Sequence, residues 1–337
     1  MKKAIIRHKR LIIGIFCCAV LIVGGFTAVS HLYFHRSVMA SLSEMWMLII
    51  DRDSIYSEGE AFQNNLKEKA VSNLEDQIIP DGVSMDVPYT YRHEHGMQVY
   101  YFNEERLESN STVLLYIHGG GYLNPPLKYH WKLINTLASQ ADCAVIMPIY
   151  LKASNYTATQ SYEAMTSFYK DLATRDGIER IVIAGDSSGG GMALVLSQLM
   201  RDNCPGILQP DDLILIAPWM DVSMDNEHIC EYEPVDPMLD IYGAKKIGEM
   251  WAGELDIHDP LVSPIYGTFE NLGDITIFIG TRDMLCPDCL DFSGLLKEKG
   301  IEHTLVVKEG LDHPYPLFPI PEAKEAQKLM VEILTKT

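Results

Sequence analysis

The most conspicuous feature of the hydropathy pattern is an uninterrupted apolar run at residues 11–29, LIIGIFCCAVLIVGGFTAV, with no charged side chain. As a helix this run rises about 28 Å, enough to cross a bilayer core. Residues 1–36 hold six cations (Lys2, Lys3, Arg7, Lys9, Arg10, Arg36) and no Asp or Glu. The pattern predicts a basic cytoplasmic segment at 1–10 and a signal-anchor helix at 11–30, with the remaining chain on the extracytoplasmic side. Cleavage near Ala28-Val29-Ser30, giving a secreted protein, is the alternative. It fits less well because signal-peptide cores usually span roughly 7–15 residues.

Residues 31–80 mix polar and apolar positions without strand-like runs and predict helices over 37–50 and 58–74. These are juxtamembrane or cap helices, placed either over a site or between it and the membrane. From residue 81 the pattern changes. An antiparallel pair is expected at 87–91 and 97–102, turning at Gly96. Short Val- and Ile-rich runs follow at 113–117, 144–149, 181–184, 213–217, 275–279 and 304–307, the pattern of strands buried on both faces. Helical stretches alternate with them at 128–140, 158–174, 190–201, 244–252, 289–299 and 323–334. The alternation implies an α/β domain over 81–337: a mostly parallel central sheet, helices on both faces, and a ligand site beyond the strands' carboxyl ends.

Composition narrows the function. Net charge is −19, which leaves about −25 on the chain beyond residue 36. So acidic a body disfavours nucleic acid and polyanionic substrates, and a small neutral substrate is expected. Cys143, Cys204, Cys230, Cys286 and Cys289 form no disulfide framework. Cys286-Pro287-Asp288-Cys289 reads as a loop entering a helix, since no second Cys or His pair stands at zinc spacing. These residues hold no metal-site pattern, and oligomeric state is open.

Two glycine-rich turns carry the chemistry. Residues 181–191 run from a strand through Gly185-Asp186-Ser187-Ser188-Gly189 into an apolar helix, the setting of a nucleophile elbow. Ser187 then projects at a helix N-terminus, where amide dipoles favour developing negative charge. Asp186 is expected to order the turn through backbone hydrogen bonds, and Ser188 to contribute its amide. The second turn, His118-Gly119-Gly120-Gly121, also follows a strand. Its glycines let backbone amides face a tetrahedral oxyanion, and Gly119, Gly120 and Ser188 are the expected donors. The phosphate-loop reading fails because no Lys-Ser/Thr follows the glycines. An elbow serine is followed in the chain by an acid and then a histidine, which disfavours His118 as the base. Asp283 follows the strand at 275–279, whereas Asp288 and Asp291 fall in or near the next helix. His313 follows the last strand, whereas His303 precedes it. The expected triad is Ser187, Asp283 and His313.

Together these motifs resemble the hormone-sensitive-lipase-like branch of the α/β-hydrolase superfamily, from about residue 113 onward. Ala217-Pro218-Trp219-Met220-Asp221 and Asp259-Pro260-Leu261-Val262-Ser263-Pro264 are similar to family landmarks. The resemblance implies the α/β-hydrolase fold and a carboxylic ester hydrolase for short- to medium-chain acyl esters. It also implies a helical N-terminal cap and no metal or organic cofactor. Two positions depart from the pattern. Ser188 stands where the family often has Ala, and Pro314 where a Gly follows the histidine. An amidase or peptidase with the same triad, or a non-catalytic binding protein, are the alternatives.

Overall fold

A computed structural model describes residues 19–49, 56–108 and 111–336. Residues 11–18 of the apolar run fall outside these. Residues 19–28 are helical and continue through a π-helical turn at Val29–Tyr33, with Val20, Leu21, Ile22, Val23 and Leu32 exposed. Among the described residues no helix is long and apolar enough to cross a membrane.

Among the described residues eight strands form one sheet: β1 (Tyr89–Glu94), β2 (Met97–Phe102), β3 (Ser111–Ile117), β4 (Ala144–Ile149), β5 (Ile178–Asp186), β6 (Pro210–Ile216), β7 (Asp274–Gly280) and β8 (His303–Lys308). Their order is β1-β2-β4-β3-β5-β6-β7-β8. The β1–β2 and β2–β4 pairs are antiparallel and all the others parallel. The expected strands are all present, within a few residues of their expected limits. The reason is burial: β4 and residues 181–184 of β5 are buried on both faces, which continuous apolar runs suit.

Helices α3 (Lys128–Ala141), α4 (Ala158–Ala173), α5 (Ser188–Asn203), α6 (Ile229–Tyr232), α7 (Ile241–Ala252), α8 (Cys286–Glu298) and α9 (Pro321–Leu334) complete the domain. They divide the core in two. One cluster joins Ile183 and Leu215 of the sheet to Met192 of α5 and Phe292 of α8; the other joins Val182 and Ile214 to Trp131 of α3 and Met330 of α9. Neighbouring strand residues thus face opposite layers, as the period of two requires. The four-residue α6 lay below what periodicity can detect.

Before the sheet come α1 (Val38–Ile49) and α2 (Glu60–Ser72), close to the expected helices. Phe62 of α2 packs with Leu123 and Ile247, and Tyr56 and Tyr242 lie against this cluster. Ala40 of α1 instead joins the cluster containing Leu317 and Phe318.

Candidate active site

β5 delivers Ser187 with φ 55° and ψ −125°, a strained conformation for a residue bearing a Cβ. Its amide donates to the Ile216 carbonyl (2.8 Å), and its carbonyl accepts from Trp219 (2.9 Å) and from Gly190 and Gly191 in the first turn of α5. The glycines of this turn are sterically enforced. A Cβ on Gly189 would lie 2.1 Å from the Ile117 carbonyl oxygen, and one on Gly185 2.2 Å from the Gly189 oxygen. The helix therefore starts hard against the glycine turn after β3.

Ser187 opens into a cavity of about 220 Å³ whose wall also includes His313, Gly120 and Gly121. The Nδ1 of His313 lies 2.9 Å from the Asp283 Oδ2. The other Asp283 oxygen accepts the Leu285 amide at 2.9 Å. With Nδ1 donating to the carboxylate, Nε2 is left as an acceptor. Both side chains are buried. Burial pushes the His313 imidazole down, but the pairing with Asp283 and the fields of Asp236 and Asp186 outweigh it, leaving the pKa above the ordinary 6.5. Pro314 does not prevent this pairing. The loops after β7 and β8 are joined by backbone, with Arg282 N–H donating to the Leu311 carbonyl (3.0 Å) and Thr281 N–H to that of Lys308 (3.0 Å).

The expected oxyanion donors divide. Gly119 N–H donates to the Asp186 Oδ1 at 2.9 Å, so it is not available to a substrate. No hydrogen bond leaves the amides of Gly120, Gly121 or Ser188 among the described residues. Gly121, not Gly119, therefore stands with Gly120 at the cavity wall, with φ of 62° and 123° respectively. The sequence holds three consecutive glycines and nothing in it marks which of them turns away. The signal was Asp186, whose carboxylate claims the first.

Asp186 joins the two turns. Its Oδ1 accepts from Gly119 N–H and the Tyr116 hydroxyl (2.6 Å), and its Oδ2 lies 3.1 Å from the His130 Nε2. His130 Nδ1 accepts the Leu127 amide at 2.8 Å, so the ring proton sits on Nε2 and the ring donates to Asp186. Burial alone would raise the Asp186 carboxyl, but His130, Tyr116 and Gly119 hold it below its usual value. The Gly119 amide is a backbone bond of the kind expected for Asp186. The structure adds two side-chain partners from distant elements.

Ser188 is fully buried, with its hydroxyl 3.4 Å from that of Tyr150. His118 stacks on Tyr150 and its Nδ1 lies 2.7 Å from the Gly119 carbonyl, away from the cavity. His303 contacts Ser293 at 2.6 Å, while Asp288 and Asp291 each accept from Asn226. None of these reaches His313.

Asp236 escaped the sequence reading. It is buried and accepts the amides of Met238 (2.7 Å), Leu239 (2.9 Å) and Met284 (2.8 Å). Burial and the charge of Asp283 push its carboxyl pKa up. The described cysteines are free thiols, and all but Cys230 are buried. Cys286 begins α8, as a loop-to-helix reading of that motif requires. Among the described residues no group of His, Cys, Asp or Glu could hold a metal ion.

The rest of the cavity wall is largely apolar, including Leu127, Trp219, Met224, Leu239, Ile247 and Phe318. Tyr56, from the segment before α2, also lines it and accepts from the Asn124 side chain at 3.1 Å.

The sequence model of the α/β-hydrolase-fold family matches residues 114–317. A triacylglycerol lipase of Mycobacterium tuberculosis is 30% identical over 204 residues, which cover 60% of this chain but only 39% of that protein. An esterase of Acinetobacter venetianus is 26% identical over 238 residues, 69% of this chain and 78% of its own length. Among solved structures, a candidate esterase from Staphylococcus aureus superposes with a TM-score of 0.80 at 25% identity, covering 87% of this chain and 99% of the other.

Proposed function

This chain belongs to the α/β-hydrolase-fold family, and from that premise we propose that it is a serine carboxylic ester hydrolase of the hormone-sensitive-lipase-like kind. The observation that carries the reading is the convergence at one cavity of a strained elbow serine, two amide-bearing glycines and a histidine paired to a buried aspartate. The lipase and esterase named above lend it support by kinship.

In this reading Ser187 Oγ attacks the ester carbonyl while His313 Nε2 takes its proton. Asp283 holds the imidazole in the required tautomer and stabilises its cation. The amides of Gly120, Gly121 and Ser188 donate to the oxyanion at the start of α5, where the helix dipole adds to them. His313 then protonates the departing alcohol, and water repeats the sequence on the acyl-enzyme. No step needs a metal or an organic cofactor.

The largely apolar wall favours a neutral acyl group. A cavity of about 220 Å³ suits short- to medium-chain acyl esters better than long-chain ones. Amide substrates are the second reading, with nothing in the cavity specific to them. Attachment to a membrane through residues 11–30, with the catalytic domain on the extracytoplasmic side, rests on the charge-free run and the cations before it.

The test is labelling by a fluorophosphonate together with turnover of p-nitrophenyl esters of increasing chain length. We expect labelling at Ser187, hydrolysis that falls beyond medium chains, and loss of several orders of magnitude in kcat for Ser187→Ala or His313→Gln. A Ser187→Ala protein with undiminished turnover would overturn the assignment.

A further inference from the structure

The loop that carries His313 is held from outside the α/β domain. Arg36 lies only seven residues beyond the apolar run, yet its guanidinium is buried. It donates to the Gly310 carbonyl at 2.8 Å and to the Ser41 hydroxyl at 3.0 Å, and it pairs with Glu44 of α1. Glu44 also pairs with Arg282, the residue before Asp283. Asp312, the residue before His313, lies 3.6 Å from Arg36 and 3.5 Å from Arg282. The Phe34 ring packs under both guanidiniums, 4.6 Å from one and 5.2 Å from the other. Contact with the backbone is closer still: at Gly310, with φ 72°, a Cβ would lie 1.8 Å from the Phe34 carbonyl oxygen. Beside it, Ser37 donates through its amide to Glu322 at the start of α9 (2.6 Å).

Four ionisable groups, two from the N-terminal segment and two flanking the triad, thus form one cluster in which Arg36, Glu44 and Asp312 are buried and Arg282 is half-buried. None of the four lines the cavity, so the cluster cannot act on substrate directly. We infer that Arg36 and Glu44 are positioning residues that clamp the loops of Asp283 and His313 in register with Ser187. The N-terminal segment then completes the site's geometry as well as leading into the domain. The inference rests on the reading of His313 as the base. A displacement of about 1 Å at a catalytic group costs up to about 100-fold in rate, so a loosened clamp acts on kcat while leaving the apolar cavity wall, and hence KM, in place.

The experiment compares the full chain with Glu44→Gln and Phe34→Ala, measuring kcat and KM on a p-nitrophenyl ester, the rate of fluorophosphonate labelling, and Tm. The second variant keeps every charge in the cluster, so it decides the matter if the first does not fold. We expect kcat and the labelling rate to fall about tenfold, with KM within about twofold and Tm above the assay temperature. The inference is overturned if folded variants keep kcat within about twofold of the parent while Ser187→Ala and His313→Gln are inactive. It is also overturned if activity falls only in proportion to the unfolded fraction. Activity surviving in His313→Gln would instead remove the reading beneath it.

Discussion

His313 shows how the charges around one buried ring set its proton affinity. Burial favours the neutral imidazole, while Asp283, Asp236 and Asp186 favour the cation, and the balance leaves the pKa above 6.5. The proposed reaction needs the neutral ring, so kcat/KM should rise with pH through a midpoint above 6.5. Replacing Asp236 by Asn removes one of the fields that favour the cation, so the midpoint should move to lower pH. A pH–rate profile of the folded variant checks this, and an unmoved or raised midpoint contradicts it. The His313→Gln control shows whether the profile belongs to that ring at all.

At the scale of elements, α8 presents a carboxyl in an unfavourable place. Asp288, in its first turn, is buried with Oδ2 unpartnered and Oδ1 bonded only to Asn226. Burial pushes its pKa up to about 7. A carboxyl whose folded pKa lies above its unfolded value stabilises fully below that unfolded value, about 4, and loses the contribution as pH rises through 7. Asp288→Asn cannot ionise, so its Tm should fall less than the parent's between pH 5 and pH 8. An identical pH dependence of Tm in the two proteins would contradict this.

Elements of this kind were largely legible in the sequence, for a physical reason. The inner strands are continuous apolar runs because both of their faces are covered, and the glycines around Ser187 are those that backbone packing forbids to carry a Cβ. What was not legible depends on contacts between distant residues. The claim of Asp186 on Gly119 spans 67 positions and the bond of Arg36 to Gly310 spans 274. No local pattern marks either, and Asp236 sits in a stretch without periodicity.

For the molecule as a whole, the charge is divided between a basic start and an acidic body, and the face of α1 is unusual. Met39, Leu42, Met45, Trp46 and Ile49 are exposed, and Glu44, the lone charge on that helix, is turned inward to Arg36 and Arg282. If residues 11–30 anchor the chain, the full protein should float with lipid vesicles, and a chain beginning at residue 31 should not. That shorter chain retains residues 34–44 and with them the clamp, so it should hydrolyse p-nitrophenyl esters at close to the parental kcat. Equal recovery of both chains with vesicles would count against the anchor. Another whole-molecule consequence comes from the carboxylate that Gly119, Tyr116 and His130 share. It makes the elbow and the glycine turn a single structural unit. An engineer who grafts either turn into another scaffold must transplant the aspartate, the tyrosine and the histidine with it. A library that varies one turn alone will sample mostly broken enzymes.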